Sequence, residues 1–111
     1  MGVKIVTSQQ KMTAYLEGEI DHHTAASLRE EIDNAVMLHS PQVLKIDFGA
    51  VTFMDSSGVG LAMGRYRTLL MTGGELILSN LSDRNYKMMK LSGLEKIAIL
   101  NKRENAYESK K

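Results

Sequence analysis

The chain has 111 residues, 43% hydrophobic and 24% charged, which suits one compact domain with a single core and is too apolar for a disordered chain. Fourteen Lys and Arg offset 13 Asp and Glu, and the net charge of +1 provides no long-range field to attract nucleic acid, so the expected partner is a protein. With no cysteine, disulfides, thiol catalysis and zinc-ribbon sites are excluded; no apolar run approaches the ~20 residues of a membrane span, and Met1 to Gln10 lacks the apolar stretch of a signal peptide.

Val3 to Thr7 and Met12 to Leu16 read as two strands around the polar tip Ser8-Gln9-Gln10-Lys11, a hairpin. Asp21 to Ser40 reads as a helix with Asp21 or Thr24 as its cap and Ala25, Leu28, Ile32, Ala35 and Val36 as its apolar stripe. Pro41 stops it, because the residue before proline is pushed out of the α region. Val43 to Phe48 is a strand with Leu44, Ile46 and Phe48 on one face and Lys45 and Asp47 on the other. Ser56 to Met71 is a second helix, with Val59, Ala62, Met63, Tyr66, Leu69 and Leu70 expected inward and Gly73-Gly74 ending it. Glu75 to Ser79 is a short strand. Ser82 or Asp83 opens a third helix with Tyr86, Met89 and Leu91 inward, and Gly93-Leu94 stops it. Ile97 to Leu100 is the last strand and Arg103 to Ser109 a short tail helix. The order β-β-α-β-α-β-α-β-α predicts an α/β domain of four or five strands. The strands joined through helices are parallel, and helices cover mainly one face of the sheet.

The segment Phe53-Met54-Asp55-Ser56-Ser57-Gly58-Val59-Gly60 lies between a parallel strand and a helix, where functional groups of α/β sheets gather. Asp55, Ser56 and Ser57 are all good caps, and by themselves need be nothing more. Two features add to that reading. Gly58, Gly60 and Gly64 each cost a helix interior roughly 1 kcal/mol against alanine. A helix carrying three either packs very close to the sheet or keeps its outer surface bare for a partner. In addition, two hydroxyls sit at a positive helix end, where a phosphate is favoured. A nucleophile elbow would need G-x-S-x-G and a P-loop G-x-x-x-x-G-K-[ST]; neither is present. Adjacent His22 and His23 project about 100° apart on a helix and chelate one metal poorly. The eight methionines read as core fillers.

Gly18-Glu19-Ile20-Asp21-His22-His23-Thr24-Ala25 resembles the G-E-L-D-H-H-T-A segment of the sporulation type of anti-sigma factor antagonist, a family of STAS-domain proteins. Phe53 to Gly60 resembles its F-M-D-S-S-G-L-G segment, Gly64-Arg65-Tyr66 its G-R-Y, and Ser92-Gly93-Leu94 with Lys96-Ile97 its S-G-L-x-K-I, in order along nearly the whole chain. The resemblance implies a single STAS domain over 1–111, with five strands and four helices, in a cytoplasmic protein that is a monomer when free. It implies a binding module rather than an enzyme, with no nucleic-acid or membrane partner, no metal and no cofactor of its own. The unmodified form would bind an anti-sigma factor that is also an ATP-dependent serine kinase, freeing the sigma factor. Phosphorylation of Ser56 would end that binding, and a PP2C-type serine phosphatase would reset it. The contact residues it implies are Asp21, His22, His23, Thr24, Met54, Asp55, Ser56, Ser57, Gly58 and Gly60. Other readings are the general-stress antagonist of the same family, a small enzyme with Ser56 or Ser57 as nucleophile, and a ligand-sensing STAS domain.

Overall fold

Rows of apolar side chains running across the strands hold the sheet together. The computed structural model describes residues 2–103. Its strands are β1 (Gly2–Ser8), β2 (Lys11–Ile20), β3 (Val43–Met54), β4 (Glu75–Leu81) and β5 (Ile99–Lys102), which lie side by side in chain order. β1 pairs antiparallel with β2, and the remaining pairs are parallel. The register aligns Met12 with Leu44 and Leu76, and Ala14 with Ile46 and Leu78, so the alternating apolar residues of three strands form continuous rows. All six are fully buried. Each of the five Met, Leu and Ile side chains contributes roughly 1.5–3 kcal/mol by leaving water.

Three helices connect the parallel strands: α1 (His22–His39), α2 (Ser57–Leu70) and α3 (Asp83–Leu91). Because the strands follow one another across the sheet, right-handed crossovers carry all three helices to the same face. The opposite face stays open, with Val6, Tyr15 and Ile99 exposed on it. The expected architecture therefore holds, with longer strands: β2 runs on to Ile20 and β3 to Met54. Between them, β3 carries extra residues at two irregularities, after the Tyr15–Asp47 and Gly18–Val51 pairs. β5 begins at Ile99, because a short 3₁₀ turn at Leu94–Lys96 takes up the residues before it. Gly93, at φ 85°, adopts the left-handed conformation that ends α3 and leads into that turn. The tail helix expected over Arg103 to Ser109 lies, beyond Arg103, outside the described residues.

Leu28, Ile32 and Val36 bury the inner stripe of α1, as expected, while Ala25 and Ala35 pack at its margin. The inner face of α2 is Gly58, Leu61, Ala62, Arg65 and Leu69. This phase corrects one expectation: Leu70 is 58% exposed, because it lies about 100° around the helix from the fully buried Leu69. Leu91 is likewise corrected, at 79% exposed; Met89 is the inward residue of that turn. Arg65 is an unexpected core member, only 4% exposed, with its Nε 2.8 Å from a carboxylate oxygen of Asp33 on α1. Burial pushes the Arg65 guanidinium below its usual value, and the Asp33 charge opposes that shift. Removing Asp33 would strand the buried Arg65 charge between the helices.

The three glycines of α2 divide into two kinds. A methyl group on Gly58 would run into the Sδ and Cγ atoms of Met54, which is fully buried, so strand end and helix start touch here. Around Gly60 and Gly64 a methyl group would meet nothing within 4 Å. Gly58→Ala is expected to destabilise the fold by roughly 1–3 kcal/mol through overpacking. Gly64→Ala is expected to stabilise it by up to about 1 kcal/mol, since only helix propensity changes. Thermal unfolding of the two variants checks this, and equal shifts of the same sign would contradict the packing difference.

Candidate functional site

The ends of β2 and β3 bring two turns together. Ile20 pairs with Met54 as the last register partners, and the next amide, Asp55 N–H, donates to the Ile20 carbonyl at 3.2 Å. Asp21 and Asp55 therefore leave the sheet side by side, each leading into a helix. This places the segment 21–24 beside the segment 54–60 at one pole of the molecule.

Each aspartate caps its helix. Asp21 Oδ1 accepts from the backbone N–H groups of His23 and Thr24, both at 2.9 Å. The Thr24 hydroxyl completes the box, accepting from the Asp21 N–H at 2.9 Å and donating to the Glu19 carbonyl. The bond from the Thr24 N–H holds the Asp21 carboxyl below its ordinary value, with His23 acting in the same direction. A lowered carboxylate pKa means that the cap supports the fold above the unfolded value and loses that support as pH falls through the folded one. Asp55 Oδ1 in turn accepts from the Ser57 N–H at 2.8 Å.

Asp55 thus does the capping at α2, and neither serine needs to. Ser56 stands at the cap position with helical φ and ψ of −64° and −11°, and its side chain makes no capping bond. It is exposed, while Ser57 is half-buried. Ser56 is therefore presented to solvent on a turn fixed from both sides, and its hydroxyl makes no hydrogen bond among the described residues. Among the described residues, no histidine or carboxylate hydrogen-bonds either hydroxyl.

Not every expected contact residue reaches the surface. His22 and His23 are exposed, with their rings edge-on at 6.1 Å, and among the described residues no group of metal-binding side chains forms. Gly60 is exposed and bare. Met54 and Gly58, expected on the contact surface, are buried instead; they form the floor on which the turn rests. Thr24 is half-buried, with its hydroxyl committed to the cap. A cleft of about 460 Å³ opens between the two helix starts, lined by His22, Ala25, Arg29, Ser57, Gly60 and Leu61 among others. Arg29 was not anticipated. Its helical phase, seven residues past His22 and so on the same side of α1, was the available signal.

Comparison with known proteins bears on the family and the fold. Residues 3–107 match the model of the STAS domain. The chain is 34% identical over 82 residues to an anti-sigma F factor antagonist of Paenibacillus polymyxa, covering 74% of this chain and 70% of that protein. It is 35% identical over 83 residues to an anti-sigma-B factor antagonist of Listeria monocytogenes, covering 75% and 72%. Among solved structures, the anti-sigma factor antagonist SpoIIAA in its unphosphorylated form superposes with a TM-score of 0.77 at 30% identity, over 97% of this chain and 92% of that one. The Bacillus cell fate determinant SpoIIAA in its phosphorylated form gives 0.71 at 30% identity, over 97% and 96%. From its matched residues and its superposed fold alike, the chain belongs to the STAS-domain family, among relatives named anti-sigma factor antagonists.

Proposed function

We propose that this protein is an anti-sigma factor antagonist whose binding is switched by phosphorylation of Ser56. The observation that carries the proposal is the exposed Ser56 hydroxyl, left free because Asp55 caps α2 in its place. The unmodified pole, from Asp21 to His23 and from Asp55 to Gly60, docks an anti-sigma factor that is also a serine kinase, and the sigma factor is released. The ATP arrives bound to the kinase, so this chain supplies no nucleotide site, metal or cofactor. A PP2C-type phosphatase removes the phosphate. Free in the cytoplasm, the protein acts as a monomer. Relatives named anti-sigma F factor antagonist and anti-sigma-B factor antagonist match at similar identity, 34% and 35%, so the proposal concerns the antagonist class; the Asp21-His22-His23-Thr24 segment favours the sporulation type.

Electrostatics accounts for the release. A phosphate adds about −1.5 to −2 charges beside Asp55. Enclosed in an interface without a cationic partner, such a charge costs several kcal/mol, and ~4 kcal/mol already weakens binding about 1000-fold. On the free protein the same phosphate lies at the N-terminus of α2, which stabilises it by up to ~2 kcal/mol.

The experiment is titration calorimetry of the anti-sigma factor with unmodified and phosphorylated protein, with the phosphosite mapped by mass spectrometry. Tight binding of the first form only, with phosphate on Ser56, is the expected result. Ser56→Ala is expected to abolish phosphorylation and to leave binding and melting temperature nearly unchanged, as no cap is lost. Persistent modification of that variant would move the acceptor to Ser57 or elsewhere. Asp21→Ala is expected to lower stability by about 1 kcal/mol through the lost cap, and to weaken docking by more than that loss explains. Unchanged affinity at a lowered melting temperature would reduce Asp21 to a cap.

A further inference from the structure

A second cleft lies on the other side of the Ser56 turn. Pairing between β3 and β4 ends at Asp47 and Ser79, and β4 departs through Asn80, left-handed at φ 60°. From Phe48 to Met54, β3 has no register partner on that side. Two arginines stand in the gap. Arg84, in the first turn of α3, donates to the Met54 carbonyl at 3.0 Å, and Arg103, just past β5, donates to the Gly49 carbonyl at 3.2 Å. They border a cleft of about 450 Å³ that Phe53 also lines. Phe53 is 46% exposed, and the Arg84 guanidinium lies 5.8 Å from its ring centre.

We propose that this cleft docks an acidic segment of the partner protein, with Phe53 as the apolar anchor and Arg84 and Arg103 as the charges that select it. The inference rests on the function proposed above and names the chemistry of that partner. Charge complementarity supports it. Among the described residues, the cleft holds two arginines and no acidic side chain. Asp83, next to Arg84, is turned to Lys102 at 3.8 Å. Each guanidinium carries five N–H donors, and one backbone bond leaves donors for a carboxylate. An exposed aromatic beside arginine is the composition enriched at interface anchors. The cleft is also continuous with the phosphorylation turn: the Met54 carbonyl that Arg84 holds is two residues before Ser56. A partner gripping that turn reaches Phe53 without leaving the surface.

The test measures affinity of the intact protein for the anti-sigma factor at low and moderate salt. Wild-type binding comes first, and its failure would sink the proposed function. Arg84→Gln with Arg103→Gln keeps side-chain donors for the two carbonyls and removes both charges. Affinity is expected to fall roughly tenfold, as two exposed charge pairs allow, with a flatter salt dependence; the Lys pair is expected to restore the salt dependence. Wild-type affinity in the Gln variant, or a loss that salt does not alter, would overturn the docking role. Amide spectra of the wild-type protein titrated with a hexaglutamate peptide supply a readout that survives misfolding of any variant and does not need the anti-sigma factor. Shifts centred on Phe53, Arg84 and Arg103 are expected, and none at millimolar peptide would overturn the proposal.

Discussion

The contact between Met54 and Gly58 governs the functional pole. Met54 is the last residue of β3 and is fully buried; its side chain occupies the space a methyl group on Gly58 would need. Strand end and helix start are therefore pinned against each other, and the residues between them, Asp55 to Ser57, can only loop outward. Asp55 then takes the free N–H of Ser57, and the hydroxyl of Ser56 remains unused. Exposure of the serine thus follows from packing beneath it rather than from local flexibility.

The neighbouring turn is held to the same frame by different means. The Ile20–Met54 pairing and the Asp55 N–H bond to Ile20 fix where Asp21 leaves the sheet, and the box formed by Asp21 and Thr24 fixes how α1 begins. Deeper in, the Arg65–Asp33 contact ties α2 to α1. It is a close charge contact rather than a well-aligned hydrogen bond, since neither the Arg65 Nε nor the Asp33 Oδ1 finds a hydrogen-bond partner in good geometry. Its role is to match the buried Arg65 charge with the half-buried Asp33 carboxylate, which ties the helix pair together beneath the cleft between the helix starts.

Much of this was legible in the residues. Alternation in Val43 to Phe48 and helical spacing in α1 gave elements and faces correctly, because one face of each is buried. Asp21 and Thr24 announced a cap, and the structure uses both. The second half of β3 was hidden: Gly49-Ala50 interrupts the alternation, and the irregular pairing with β2 breaks the two-residue period that identifies a strand. The phase of α2 misled at Leu70 because a buried arginine, paired across helices, cannot be told from an exposed one by pattern. Met54 and Gly58 sit within a motif that reads as surface, yet they are its floor; only their mutual contact shows it. Arg84 gave no signal, since its partner is a backbone carbonyl thirty residues away.

These features favour a switch that acts through local charge. The core residues Leu28, Ile32, Leu44 and Ile46 are fully buried, and the Ser56 hydroxyl, the proposed acceptor, makes no hydrogen bond among the described residues. The most direct measurement compares the amide spectra of the unmodified and Ser56-phosphorylated protein. The account predicts shifts confined to Phe53 to Gly60, the Asp21 turn and the adjoining cleft, with the sheet unchanged. Shifts spread across β1 to β5 would contradict it and show that phosphorylation refolds the domain.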